Sequence, residues 1–171
     1  QRQMCIRDSL TSGQIASLST AQARALSSEQ INNLLDDQVK ALSSAVVAAL
    51  TSTQFNSLTY YQISLLDTSQ IAAIGSTVIA GITTESIRAL GTLQISTLTE
   101  AQLKALTISQ IDALNAEQIS ALDLSLLSSA QIGAINYDQA SALSSQQVQG
   151  ISSAAISSFS SEKINQIINF N

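Results

Sequence analysis

The sequence contains no histidine, proline or tryptophan, and only one cysteine and one methionine among its 171 residues. Without histidine the chain lacks the most common general base and metal ligand of enzymes. A single cysteine excludes an intramolecular disulfide and a cysteine-based zinc site. Charged residues make up only 11% of the chain and the basic ones are scattered, which argues against nucleic acid as a partner. No apolar run approaches the length of a membrane span.

What the sequence does contain is a repeat of eight residues, here called the octad. Leu or Ile occupies every eighth position from Leu10 to Leu122, and after five further residues the spacing resumes at Leu127. The consensus is Ser/Thr-x-x-Gln-Ile-x-Ala-Leu, as in residues 107–114. Fourteen octads precede the interruption and five follow it. The chain is therefore divided into a first array at 10–122, an interruption at 123–127, a second array at 128–167 and a tail at 168–171.

Positions 1 and 4 of the octad predict the start of a helix. Position 1 is Ser, Thr, Asp, Asn or Gly in eighteen of nineteen octads, and Leu35 is the exception. Gln occupies position 4 in fourteen octads, so the pair has the spacing of a capping box. Stacked glutamine amides could instead bond between repeats, but the local capping box explains the glutamines without that assumption. In the octad of Leu35 we predict that Asp36 acts as the cap instead.

Positions 5 and 8 are the apolar columns, and their spacing of three puts both on one face of a helix. Position 7 is usually Ala, Gly or Ser, which allows a neighbouring element to approach closely. The predicted core consists of the position 8 series together with Ile15, Ile31, Val39, Ile63, Ile71, Ile87, Ile95, Ile111, Ile119, Ile132 and Ile156.

The octad predicts an all-α solenoid of short two-turn helices, one for each repeat. A helix this short is marginal alone, because burying two aliphatic side chains gives roughly 3–6 kcal/mol and ordering eight residues costs about 12 kcal/mol. Stacked neighbours must supply the difference. A single continuous helix is excluded, since the apolar stripe would shift by roughly 80° with each octad. A β-solenoid stays open as the alternative, although few glycines and no proline are present for its turns.

The interruption at 123–127 (DLSLL) is three residues shorter than an octad. It has several possible meanings: a kink, a shortened repeat, a change of superhelical phase, or an insertion without a role. The tail at 168–171 follows the last octad without the polar cap that solenoid ends normally carry. We therefore expect that the chain continues or that its end meets another molecule.

Residues 1–9 (QRQMCIRDS) have no counterpart in the repeats. The segment resembles the translation of the transposase adapter that is ligated to DNA fragments before short-read sequencing. We interpret it as a tail foreign to the protein and exclude it from fold reasoning. Without it the chain has neither cysteine nor methionine, and its net charge is 5 − 11 = −6. We expect the natural chain to be longer.

Residues that carry chemistry are few. Lys40, Lys104 and Lys163 lie in different octads, and a serine nucleophile would need one of them beside it as the base. The pair Asp36–Asp37 has too few oxygen ligands nearby for a calcium site. The pair Tyr60–Tyr61 could form a sticky surface spot. We predict no catalytic, cofactor-binding or metal-binding residues, and we expect that the chain is not an enzyme.

The hydroxyl side chains at positions 1 to 3 are expected to run along the solenoid as polar columns. Two roles stay open for them, namely attachment of O-linked glycans and ordering of water. Capping of helices and wetting of the surface is the simpler interpretation.

The Ser/Thr-x-x-Gln-Ile-x-Ala-Leu tracts from Leu10 to Ile167 resemble helical repeats of large bacterial surface and secreted proteins. This resemblance implies an extracellular location in an uncultured bacterium. It implies an adhesin-like or structural role as a filament subunit or an elongated surface spacer, in which self-association, end to end or into fibres, is expected. The alternative is a solenoid scaffold that binds a protein or glycan ligand.

Overall fold

The computed structural model describes residues 10–151 and residue 156. The two tails, 1–9 and 168–171, lie outside the described residues, as do Lys163 and all of the last two octads except Ile156. The described part contains α-helices and no β-strand. The prediction of an all-α solenoid is therefore confirmed, and the β-solenoid alternative is wrong.

Each octad between residues 11 and 151 forms one helix of four to six residues. The helices are shorter than the two turns predicted because each octad begins with a residue of extended backbone, as at Thr107, and several also end with one, as at Leu114. They are α1 (Ser12–Ala16), α2 (Thr20–Ala25), α3 (Ser28–Asn32), α4 (Asp36–Lys40), α5 (Ser44–Ala49), α6 (Ser52–Phe55), α7 (Tyr60–Ser64), α8 (Thr68–Ala72), α9 (Ser76–Gly81), α10 (Thr84–Arg88), α11 (Thr92–Ser96), α12 (Glu100–Ala105), α13 (Ile108–Ala113), α14 (Ala116–Ser120), α15 (Ser129–Gly133), α16 (Tyr137–Ser141) and α17 (Ser145–Gly150). A 3-10 turn, Leu124–Leu126, lies between α14 and α15.

The octad of 107–114 shows how the sequence produces each helix. Thr107 has extended backbone (φ −77°, ψ 160°), and its hydroxyl accepts from the backbone N–H of Gln110 at 3.2 Å. Oε1 of Gln110 accepts from the backbone N–H of Thr107 at 2.8 Å, which completes the predicted capping box. At the other end Leu114 returns to extended backbone (ψ 147°), so the chain turns directly into the next cap.

The helices wind into a coil with three helices in each turn, because each one packs against the helix three places further along the chain. Packing of this kind joins α1 to α4, α2 to α5 and α3 to α6, and it recurs through most of the coil. When the 3-10 turn is counted as one place, α14 and α16 are also three places apart and pack together. One turn therefore corresponds to three octads, or twenty-four residues. The seventeen helices and the 3-10 turn make six turns.

The two apolar columns line the inside of the coil, as predicted. Ile111 is 0% exposed and Leu114 is 3% exposed. Every predicted residue of the position 5 column from Ile15 to Ile132 is buried, and Ile156 is half-buried against the core. Position 7 allows a close approach at Gly81, where an added Cβ would lie 2.8 Å from the side chain of Ser52.

The predicted cap of the fourth octad is wrong. The residue that precedes α4 is Leu35, with extended backbone and no side-chain cap hydrogen bond. Asp36 instead begins the helix and lies in its first turn. Oε1 of Gln38 accepts from the Leu35 N–H at 2.7 Å, and this half of the capping box holds the helix start without a hydroxyl or carboxylate.

The interruption at 123–127 takes the place of one helix in the coil. Its 3-10 turn packs against α12 on one side and against α17 on the other, which are each three places away. Asp123 begins the turn and accepts from the N–H of Ser125 at 3.1 Å, while Leu124 and Leu127 are buried. The segment is therefore a shortened repeat that keeps three elements in each turn.

Candidate functional site: the glutamine ladder and the outer faces

The glutamine at position 4 joins consecutive turns of the coil. In Gln110, Oε1 completes the capping box, and Nε2 donates to the carbonyl oxygens of Ile79 and Ile82, both at 2.8 Å. Both carbonyls lie at the carboxyl end of α9, which belongs to the octad four places earlier in the chain. One side chain therefore satisfies a backbone donor of its own octad and two backbone acceptors of the neighbouring turn.

We call the glutamines that bond in this way the glutamine ladder. All of them except Gln147 are buried. The ladder consists of Gln38, Gln54, Gln62, Gln70, Gln94, Gln102, Gln110, Gln118, Gln131, Gln139 and Gln147. The explanation by a local capping box was therefore incomplete. A column of buried amides needs partners for its N–H donors as well as its oxygens, and this requirement was the signal available in the sequence.

The ladder continues across the interruption, but the glutamines after it bond to carbonyls that are three positions closer in the sequence. Before it, Nε2 reaches carbonyls 28 and 31 positions earlier, as Gln110 does. After it, Gln139 reaches the carbonyls of Leu114 and Ile111, which are 25 and 28 positions earlier. The difference equals the number of residues by which the interruption is shorter than an octad, so the stacking of turns is preserved.

The octad of 83–90 has Ser86 where the ladder requires glutamine, and Asn56 from the turn below takes over part of the role. Oδ1 of Asn56 accepts from the backbone N–H of Thr83 at 2.9 Å and from the hydroxyl of Ser86 at 3.2 Å. Nδ2 of Asn56 donates to the carbonyl of Gly81 at 3.2 Å. Here the amide side chain belongs to the earlier turn and bonds to the later one, whereas each ladder glutamine belongs to the later turn.

The first turn carries the same glutamines, and no turn lies below them among residues 10–151. Oε1 of Gln14, Gln22 and Gln30 completes the capping box at 2.8 Å in each case. Their Nε2 atoms have no partner among residues 10–151, and none of the three side chains is buried. The leucines at position 8 of this turn are half-buried, whereas Leu42 and Leu50 in the next turn are each 4% exposed.

The coil has three outer faces, and position 2 of the octad differs among them. The first face consists of α1, α4, α7, α10, α13 and α15. Its position 2 residues at four successive levels are Asp36, Tyr60, Thr84 and Ile108. The second face consists of α2, α5, α8, α11, α14 and α16. There the corresponding residues are Thr20, Ser44, Thr68 and Thr92. At these four levels the first face is therefore mixed and the second bears hydroxyls, and the second face continues with Ala116 and Tyr137 at position 2.

Exposed large apolar side chains concentrate on the first face. Tyr60 is 66% exposed, Tyr61 58%, Leu35 60% and Ile108 49%. All four belong to the octads of α4, α7 and α13. Only Leu93 and Tyr137, both on the second face, are comparably exposed among the described residues. The pair of tyrosines singled out in the sequence therefore lies at the surface.

The residues considered as candidates for chemistry lie apart from one another, except that Lys104 has serines beside it. Lys104 lies beside Ser125 and Ser128 in an open notch at the shortened repeat. However, Lys104 pairs with Glu100 on its own helix, Ser125 donates to Asp123 at 2.6 Å, and Ser128 donates to Gln131. No hydrogen bond joins Lys104 to either serine in the described structure.

Within the described residues, no three or more His, Cys, Asp or Glu side chains form a group that could hold a metal ion. In that same part no helix has the length and apolarity needed to cross a bilayer. Glu85 lies in the first turn of α10. The pKa of Glu85 is lowered, mainly because its own backbone N–H donates to it and also because the Thr84 hydroxyl does.

Comparison with known proteins supports the repeat and extends no further. A family model described as the ALTTAQ repeat matches residues 8–36. Its letters correspond to positions 7, 8 and 1 to 4 of the octad, as in Ala25–Gln30. The search of curated proteins finds no match. The chain is therefore a helical repeat protein with a tract similar to the ALTTAQ repeat.

Proposed function

We propose that this chain is a structural, non-catalytic array that acts as a stiff spacer or fibre segment outside the cell. The glutamine ladder carries this proposal, because it ties each turn of the coil to the next through buried hydrogen bonds. In a solenoid whose units contact only near neighbours, such bonds between turns resist bending. The repeated octads perform the same structural task along the whole array, which suits a component whose length matters more than any single site.

The spacer proposal predicts a fixed rise for each turn. Packed helices lie about 8–10 Å apart, so six turns give a rod of roughly 55 Å and each added turn about 9 Å more. The test is small-angle scattering from arrays in which residues 91–114, one complete turn, are duplicated once, twice and three times. The maximum dimension should rise by an equal step each time. An insert of equal length made of Gly and Ser is the control, and a series that behaves like it would overturn the proposal.

The extracellular location and the attachment of O-linked glycans belong to the same proposal. Support comes from the resemblance to bacterial surface repeats and from the exposed hydroxyl column that includes Thr20 and Thr68 on the second face. A membrane-impermeant biotin reagent applied to intact producing cells tests the location. Intact-mass spectrometry of the natural product tests the glycans, since each hexose adds a fixed mass. An unlabelled or unmodified chain would contradict the corresponding part.

A second candidate function, a binding scaffold, is favoured by the exposed side chains of the first face. Tyr60 and Tyr61 present aromatic rings to solvent, and such rings are common at the centres of binding surfaces. Binding to a glycan or protein array, compared with the variant Tyr60→Ser/Tyr61→Ser, tests this candidate. One saturable ligand that is lost in the variant would favour the scaffold over the spacer.

A further inference from the structure

Two consecutive octads in the middle of the coil have no glutamine at position 4. The octads are 75–82 and 83–90, which have Val78 and Ser86 there instead. Their helices are α9 and α10. The helix α10 belongs to the first face, and α9 belongs to the third face, which consists of α3, α6, α9, α12, the 3-10 turn and α17. The gap in the glutamine ladder therefore extends over two neighbouring faces, and we call the junction beneath α9 and α10 the seam.

The backbone of the earlier turn has unpaired acceptors at the seam. The carbonyl oxygens of Leu50 and Leu58 accept no hydrogen bond from the later turn in the described structure, although both residues are buried. The carbonyl of Leu66, in the next octad, accepts from Nε2 of Gln94 at 2.6 Å. A buried acceptor without a partner destabilises the closed state, so the seam is held less firmly than the junctions that the ladder crosses.

Asn56 supplies the side-chain hydrogen bonds that cross the seam within the described residues. Its bonds to the N–H of Thr83 and to the carbonyl of Gly81 lie at exposed positions, where water competes with them. In the octad of 75–82 the residue that precedes α9 is Gly75, which has no side-chain cap hydrogen bond. The start of α9 therefore lacks both the local cap and the bond to the earlier turn.

We propose that the coil opens at the seam before it opens at its other interior junctions, with the second face as the hinge. Gln70 in α8 and Gln94 in α11 bond to the earlier turn on either side of the seam, so the second face stays closed while the first and third separate. The single gap at Val46 does not open in this way, because Gln38 and Gln54 in the flanking octads bond to the earlier turn. The consequence rests on the proposed spacer function: a stiff rod that bends at one defined place.

Hydrogen exchange of the backbone amides tests the seam in the full chain and in the variant Val78→Gln/Ser86→Gln, which restores both glutamines. A glutamine at 86 is compatible with Asn56, because Gln62 and Asn32 have the same relation and Nε2 of Gln62 donates to the Asn32 carbonyl at 3.0 Å. A helix this short does not keep its hydrogen bonds when its neighbours separate. Protection factors in α9 and α10 should therefore be about tenfold lower than in α8, α11, α12 and α13 of the unmodified chain. The double variant should remove this difference.

The matched control moves the gap by one turn. Gln102→Val/Gln110→Ser removes the glutamines of α12 and α13, on the same two faces, and should lower protection there about tenfold. Val46→Gln adds a glutamine away from the seam and should leave α9 and α10 unchanged. Circular dichroism checks that each variant is folded, and if the chain with fewer glutamines is not, the restored variant alone decides.

Three results would overturn the proposal. The first is equal protection of all these helices in the unmodified chain, and the second is a restored variant whose α9 and α10 exchange as before. The third is exchange in α8 and α11 as fast as in α9 and α10, because the whole turn would then open without a hinge. The spacer function is tested separately, since the scattering series measures the length that each added turn contributes.

Discussion

The octads of 107–114 and 83–90 occupy neighbouring places in the coil and satisfy their backbone groups in different ways. In the first, Gln110 reaches down to the carbonyls of Ile79 and Ile82. In the second, Asn56 reaches up to the N–H of Thr83 and the hydroxyl of Ser86. The comparison teaches that an amide from either turn can bond across the junction. The position of the amide in the sequence can therefore change while the bond between turns is kept.

The largest effect is expected from removing an interior amide of the ladder. Gln110→Ala leaves the N–H of Thr107 and the carbonyl of Ile82 without these partners, while the carbonyl of Ile79 keeps only the N–H of Ile82. We expect a loss of about 3–5 kcal/mol in the free energy of unfolding. Gln22→Ala is the matched control, because its Nε2 has no partner in the described structure, and it should cost only about 1 kcal/mol. Denaturant unfolding measures both values. Equal losses would show that the bonds between turns contribute nothing.

The next largest effect is expected from removing Asn56, whose amide takes the place of the missing glutamine. Asn56→Ala should cost about 2 kcal/mol, since the groups of Thr83, Ser86 and Gly81 lose a partner together. The double variant Asn56→Ala/Ser86→Gln should recover most of that loss, because a glutamine at 86 restores the capping acceptor and places Nε2 over the turn below. A double-mutant cycle by denaturant unfolding measures this coupling. Additive effects of the two substitutions would contradict the shared role.

The close approach in another octad without glutamine, that of 75–82, gives a smaller effect. Gly81→Ala would place a Cβ 2.8 Å from Ser52, so we expect a loss of about 1.5 kcal/mol, which Ser52→Gly should relieve. Gly150 occupies the same octad position, and the nearest side-chain atom lies 4.0 Å from its added Cβ. Gly150→Ala should therefore be neutral or stabilising by up to about 1 kcal/mol. Thermal unfolding of both variants checks the contrast.

Adding a capping side chain to the octad of 35–42 should increase the stability of the chain. Leu35→Ser supplies the hydroxyl that α4 lacks and removes an exposed apolar side chain, so it should stabilise the chain by about 1 kcal/mol. Thr107→Ala, the opposite change in an octad with a complete box, should lose about the same amount. If Leu35→Ser had no effect on the free energy of unfolding, the glutamine half of the box would be sufficient by itself.

The parts of this structure that follow from local chemistry were predictable from the sequence. The capping box and the burial of Ile111 and Leu114 depend on contacts within one octad or on a simple apolar pattern, and both were predicted. The winding of three helices per turn depends on the angle between successive helices, which the octad pattern does not specify. The role of Asn56 depends on that winding, because residues 56 and 83 meet only when three helices complete a turn. The substitution of Leu35 at a cap was misjudged because Gln38 alone holds the helix start.

The smallest effect concerns the charge of Glu85, which lies in the octad that Asn56 supports. Its lowered pKa means that the folded chain favours the carboxylate, mainly through a hydrogen bond from its own backbone N–H. The resulting stabilisation is present above the ordinary glutamate pKa, and it is lost as the pH falls through the lower value of the folded state. Glu85→Gln should therefore lower Tm slightly at neutral pH, and the difference should vanish in acid. Because the side chain is fully exposed, added salt should weaken only the attraction to Arg88. A difference that persists unchanged in acid would show that Glu85 acts through its shape rather than its charge.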